Sequence, residues 1–319
     1  MSMKTAEIKF GGRGKKPLAA GQGKVKRTWD RSNERIRDVM HSAAFLGPSV
    51  TGVAVFFIVP FLVVVYYSII RSPLNPEFVF LDNFKAVLGN SSFRTAAGNT
   101  AMFSAIAVPL AVVLSLGLAL LLECRIPCKS LFRTFFLSPM MVPVASVVLI
   151  WQVVFHYRGT LNVILANFHV EPIDWLNSKY CLLVIVVLFL WKNLGYNMIL
   201  FMAALNNIPK ELLEVADVEG ASAAHKFFNI KLRYLSPTVL FVAILSIINS
   251  FKVFREIYLL VGKYPFDGLY MMQHFMNNTF ENFDYQKMAS AAVLMALVMV
   301  ALIALLFKAE DIFGKDVEG

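Results

Sequence analysis

The chain has 319 residues, 58% of them hydrophobic and only 16% charged, with a formal net charge of +9. Soluble domains are about half apolar and about a quarter charged. This composition, with a mean hydropathy of +0.64, therefore excludes a soluble enzyme, a disordered protein and a collagen-like chain. Cys124, Cys128 and Cys181 provide neither a disulfide framework nor a zinc-ligand spacing.

Residues 1–42 are polar and basic, with 11 Lys and Arg. They read as a disordered arm attracted to anionic lipid rather than to nucleic acid. The apolar run that follows is too long for the core of a cleavable signal. A helix needs about 20 mostly apolar residues to cross a bilayer, and six segments qualify: 43–70, 99–122, 132–155, 180–205, 237–261 and 288–307. Residues 308–319 form a short tail. The expected fold is an all-α, six-span membrane protein with a domain over 43–307.

Lys and Arg set the orientation. Residues 1–42, 123–133, 206–235 and 308–319 carry 20 of them, whereas 71–98, 156–179 and 262–287 carry 7. The positive-inside rule then puts both termini in the cytoplasm.

Several spans are interrupted. Pro139 and Pro143 should kink the third. The fourth holds Trp191, Lys192, Asn193, Gly195, Tyr196 and Asn197 near its middle. A lysine at that depth costs at least about 2.5 kcal/mol on insertion scales and should face protein or water. In the fifth span, Ser246, Asn249, Ser250, Val253 and Glu256 share one helical face. The i,i+4 spacing of Lys252 and Glu256 predicts that they neutralise each other. Such a stripe lines a solvated cavity or hydrogen-bonds one helix to another. The aromatic-rich loop 262–287 reads as partly interfacial helix.

The stretch 206–237 reads as two short helices with a break at Gly220. Asn206 or Asn207 is a candidate cap for the first, Pro209 suits its first turn, and Glu211 and Glu214 complement its positive end. Residues 221–228 start the second, and Ser236-Pro237 should open the fifth span. Glu211, Glu214, Asp217 and Glu219 balance Lys210, Lys226, Lys231 and Arg233. A nearly neutral knob suits protein docking better than anionic lipid.

Glu214-Val215-Ala216, then Gly220-Ala221-Ser222, then Ile230 and Leu232 resemble the EAA loop of ABC importer permeases. Val215 stands where that pattern has its first Ala, and Arg233 where it has Pro. Phe132-Arg133, Pro139, Pro143, Trp151, Gly159, Asn162, Trp191, Gly195, 205–209 and 249–254 are similar to the flanking regions of carbohydrate permeases. The chain thus resembles the first-permease subfamily of carbohydrate-uptake importers, of maltose and glycerol-3-phosphate type. The resemblance covers about 130–265 by motif and 43–307 by hydropathy.

That resemblance implies a type I importer permease core in spans two to six. It also implies a heterodimer with a second homologous permease, two ABC ATPase subunits that bind ATP and Mg, an extracytoplasmic solute-binding protein, and a carbohydrate as cargo. The location would be a bacterial or archaeal inner (plasma) membrane. Glu214, Ala216 and Gly220 would couple the coupling loop, 206–235, to the ATPase. Gly195, Tyr196, Ser246, Asn249 and Ser250 would line the substrate path. The chain has no G-x-x-x-x-G-K-S/T phosphate loop and no H-E-x-x-H or G-x-S-x-G pattern. It reads as a translocation subunit without a cofactor, not an enzyme. The alternative, a secondary transporter or channel-like protein without an ATPase partner, fits six spans and a docking knob less well.

Overall fold

A computed structural model describes residues 45–124 and 128–314. The arm expected over 1–42 and residues 315–319 of the expected tail lie outside the described residues. Among the described residues the regular elements are helical, apart from one isolated antiparallel bridge between Ile70 and Phe78. Among the described residues, six helical stretches are long and apolar enough to cross a membrane: Phe45–Ser68, Ser91–Glu123, Val144–Ala166, Cys181–Asn206, Ala223–Val261 and Tyr285–Asp311.

The chain divides into two compact units, Met1–Leu62 and Val63–Gly319. In the first, the described residues belong to the start of α1 (Phe45–Ser68). It contains a π-helical stretch, Ala54–Ile58, and its large side chains Phe45, Phe56 and Phe57 are exposed.

The second unit is built around α3 (Ser91–Glu123), which follows the short helix α2 (Asp82–Gly89). The Asn90 side chain caps α3 by accepting from the Phe93 N–H at 3.1 Å. Ala107, Ala111, Ser115 and Ala119 recur every fourth residue and are completely buried. Small residues at this spacing let helix backbones approach closely where lipid supplies no hydrophobic drive. The groove they form receives α7 (Cys181–Asn206). Phe103 meets Phe189 edge-on at 5.5 Å, and Met198, Phe201 and Leu205 pack with Ala119 and with Leu235 and Val242.

The expected third span, 132–155, is two helices rather than one: α4 (Lys129–Met141) and α5 (Val144–Phe155). Pro139 is accommodated inside α4, while Pro143 occupies the N-cap of α5, where its missing N–H costs nothing. The break therefore falls at Val142, whose backbone is extended. Next comes α6 (Thr160–Ala166). Buried Asn162 organises the segment after α5: its Nδ2 donates to the Tyr157 and Ile173 carbonyls, and its Oδ1 accepts from Trp175 Nε1.

Beyond α7 lies α8 (Lys210–Val218). Ala223–His225, the π-helical Lys226–Lys231 and Leu232–Phe251 then run on as a single helix, α9. Pro237 lies inside this helix, so Ser236-Pro237 does not open the span as the sequence suggests. After a tight turn comes α10 (Phe254–Val261).

Part of the loop 262–287 is helical, as expected. It contains α11 (Met272–Glu281), but Leu269, Met271, His274 and Phe275 are buried rather than spread on an interface. Asn99 Nδ2 donates to the Tyr270 carbonyl at 3.1 Å, and the Met272 N–H to Thr100 Oγ1 at 2.9 Å. These bonds tie the loop to α3. The final helix, α12 (Tyr285–Gly314), includes the first part of the tail expected over 308–319.

Two predictions follow from this packing. A Cβ on Gly195 would fall 1.9 Å from the Phe136 carbonyl oxygen of α4, whereas one on Gly117 would meet nothing within 4 Å. Thermal unfolding of the purified protein should show Gly195→Ala lowering Tm, and Gly117→Ala leaving Tm unchanged or raising it, since the helix gains up to about 1 kcal/mol of propensity. Burial lowers the His274 pKa from 6.5 to about 4. Its folded-state value lies below the unfolded one, so the stability it contributes is present above pH 6.5 and is lost as pH falls toward 4. Unfolding measured across that window should show a smaller acid loss for His274→Gln than for the wild type.

Candidate functional site

Two features stand out, a helical knob and a polar cavity. In the knob, α8 ends in a Schellman turn. The Ala221 N–H reaches back to the Ala216 carbonyl at 2.8 Å, and the Gly220 N–H to Asp217 at 3.1 Å. Gly220 has φ +76°, a left-handed conformation that glycine adopts without a Cβ clash. Ser222 then caps the following helix by accepting from the His225 N–H at 3.2 Å. Asn206 and Asn207 are not the caps of α8: Asn206 is the last residue of α7, Asn207 follows it, and Pro209 occupies the N-cap of α8. The helical ladder of α7 continues through 206 and leaves only a two-residue link before Pro209.

Ion pairs fix the knob. Lys226 Nζ lies 2.5 Å from Asp217 Oδ1, closing its two helices on each other. Lys231 Nζ lies 2.6 Å from Glu123 Oε2, joining the knob to the end of α3. Ala216 is buried, while Glu214 and Gly220 are exposed. Around them Val215, Val218 and Phe228 are also exposed, Val218 by 90%. The sequence reading overlooked this apolar rim, although the helical period of α8 already separates Val215 and Val218 from Ala216.

The cavity, of about 350 Å³, lies among α4, α7, α9 and α10. Met140, Leu188, Phe189, Leu245 and Val253 provide apolar wall; Tyr196, Asn193 and Asn249 provide polar groups; Lys192, Lys252, Arg255 and Glu256 provide charge. Asn249 Nδ2 donates to Asn193 Oδ1 at 3.0 Å, linking α9 to α7.

Of the five residues named for a path, Tyr196 and Asn249 line this cavity. The other three are placed between helices. Asn197 Nδ2 donates to buried Ser246 at 3.2 Å. Ser250 Oγ is 2.8 Å from Ser104 Oγ. Gly195 abuts the α4 backbone. The polar stripe thus divides into two parts, one joining helices and one facing the cavity.

The expected Lys252–Glu256 pair is not formed. Glu256, only 6% exposed, is bonded instead to Lys192 of α7. The cause is the turn after Phe251. The Lys252, Val253 and Arg255 N–H groups each bond a carbonyl three residues back, which tightens the chain and restarts it as α10. Positions 252 and 256 therefore no longer share a continuous helical face. Removing one partner of a buried pair leaves the other charge uncompensated and costs on the order of 3 kcal/mol. Glu256→Gln should lower Tm of the purified protein, and the exchange Lys192→Glu with Glu256→Lys should recover most of the loss.

Residues 111–318 match the family described as the inner membrane component of binding-protein-dependent transport systems. Among curated proteins, the chain is 32% identical over 224 residues to the arabinooligosaccharides transport system permease of Bacillus subtilis, covering 68% of this chain and 70% of that one. It is 30% identical to the trehalose/maltose transport system permease of Thermococcus litoralis, covering 84% and 92%. It is 29% identical to the sn-glycerol-3-phosphate transport system permease of Agrobacterium fabrum, covering 82% and 92%. Among solved structures, a chain of a bacterial ABC transporter that imports the acidic polysaccharide alginate superposes with TM-score 0.75 at 17% identity, covering 88% of this chain and 98% of that one. That likeness establishes the fold.

Proposed function

Because this chain belongs to the family of inner membrane components of binding-protein-dependent transport systems, a multi-pass permease family, we propose that it is the carbohydrate-translocating subunit of an ATP-driven importer. The observation that carries the reading is helix α9. It runs without a break from the knob at Ala223 to Phe251, one residue before the turn that bears Lys252. At about 1.5 Å per residue, such a helix spans roughly 40 Å. A displacement of the knob is therefore transmitted to the cavity wall rather than absorbed on the way.

The loop 206–235 faces the cytoplasm in this reading, with both termini on the same side and an ATPase subunit against the knob. Glu214 supplies the polar contact and Ala216 the small buried contact behind it. Gly220 supplies the bend, and the exposed Val215, Val218 and Phe228 supply apolar area. A second homologous permease completes the path, a second ATPase grips that permease, and a solute-binding protein delivers cargo from outside. ATP and Mg belong to the ATPases. The solute is a carbohydrate, as the names of the relatives suggest. Asn193, Asn249 and Tyr196 are suited to it, offering amides to hydroxyls and a ring to the sugar's C–H face. Alternating access follows if the knob's displacement favours one of two helix arrangements.

The test is solute-stimulated ATPase activity of the complete importer in proteoliposomes, with co-purification of the ATPase as a second readout. Gly220→Asp should abolish both, because it adds a Cβ at positive φ and a charge at the docking face. Gly220→Ala should lose less, in line with a strain of about 1–2 kcal/mol. Unchanged activity and assembly in both variants would remove the knob from the coupling pathway.

A further inference from the structure

We propose that the cavity selects an anionic carbohydrate, one carrying a carboxylate or a phosphate, and that Lys252 and Arg255 are the groups that hold the anion. The inference rests on the carbohydrate-importer reading and adds the charge of the cargo to it.

Three cations and one carboxylate line the cavity. The carboxylate is already engaged: Glu256 is bonded to Lys192, at the twelfth position of the 26-residue α7. Arg255 Nη2 lies 3.7 Å from the same Glu256 oxygen, beyond hydrogen-bond distance, and its side chain is 65% exposed. Lys252 is exposed and forms no ion pair among the described residues. Two positive charges are thus left over in a site whose remaining wall is largely apolar. The cavity therefore carries a net charge of two positives, which attracts an anion. A neutral sugar would bring hydroxyl dipoles but no counter-charge. An anionic sugar would bring both.

The placement of the two cations is also informative. Lys252 lies in the turn between α9 and α10, and Arg255 in the first turn of α10. Both lie just beyond the end of the helix that starts in the knob. The anion would therefore be held by the segment most directly connected to the driving motion. Lys192, held by Glu256, fixes α10 against α7 and does not compete for the anion.

The experiment uses the complete importer in proteoliposomes with its solute-binding protein and reads stimulation of ATPase activity. The neutral probes are maltotriose, cellotriose, xylotriose and arabinotriose. The acidic probes are trimers of galacturonate, glucuronate and mannuronate, with glucose 6-phosphate and glycerol 3-phosphate as the phosphate arm. Stimulation should come from acidic probes alone, and the arm that responds distinguishes carboxylate from phosphate. Lys252→Gln with Arg255→Gln should raise the half-maximal concentration of the active probe by at least about tenfold, the scale of one lost charge-assisted hydrogen bond. Lys252→Arg alone should retain most of the response, which separates loss of charge from loss of fold. Stimulation by a neutral probe, or an acidic response indifferent to the double substitution, overturns this inference and leaves the importer reading standing. Silence across all probes overturns the carbohydrate reading and this inference together.

Discussion

A charge buried in a bilayer span is costly unless it is paired, and Lys192 meets Glu256. The lysine is fixed at the middle of α7, so the carboxylate has to be brought to it. A straight fifth span would have kept Glu256 one helical turn from Lys252, on the same face. The turn at 252–253 redirects the chain, and α10 delivers Glu256 across the gap. The cavity exists because of this redirection: its wall is the corner between the end of α9 and the start of α10.

The close approach of α3 and α7 rests on a different device. Lipid tails are as apolar as leucine, so helices in a membrane gain little from hydrophobic burial against each other. Shape has to compensate. Ala107, Ala111, Ser115 and Ala119 provide a smooth groove, and Gly195 does the same for α4 against α7. The hydrogen bonds of Ser246 and Ser250 add cross-links between helices that already lie close. Polar residues in these spans therefore serve two ends, and a stripe of serines and asparagines is not evidence of a path by itself. Within the stripe, Asn249, Val253 and Glu256 line the cavity, while Ser246 and Ser250 bond to neighbouring helices.

The knob joins these two regions. Its bend is set by one residue with positive φ, its closure by Lys226 with Asp217, and its seat by Lys231 with Glu123. From there α9 runs uninterrupted to the cavity. The knob and the α9 residues of the cavity wall, Leu245 and Asn249, thus belong to one helix. This continuity places the knob, in sequence, between the two spans that carry the cavity's polar groups.

Much of this was determined by the sequence alone. Composition and run length settled a six-span helical membrane protein, because only a helix satisfies its own backbone in lipid. The break at Gly220 was legible because a left-handed turn favours glycine, and the cost of a mid-span lysine marked Lys192 for a protein partner. Other features were decided by tertiary structure. Sequence spacing assigned Glu256 to Lys252, but a tight turn placed it on Lys192, and a periodicity argument assumes a helix that does not turn. The resemblance named Gly195, Ser246 and Ser250 for a path; the structure adds that they lie against neighbouring helices, since which side of a helix meets a neighbour depends on elements far away in the chain. Prolines announced a kink in the third span, yet whether each would be absorbed or would break the helix was set by position: Pro139 inside α4, Pro143 at the cap where no donor is missed.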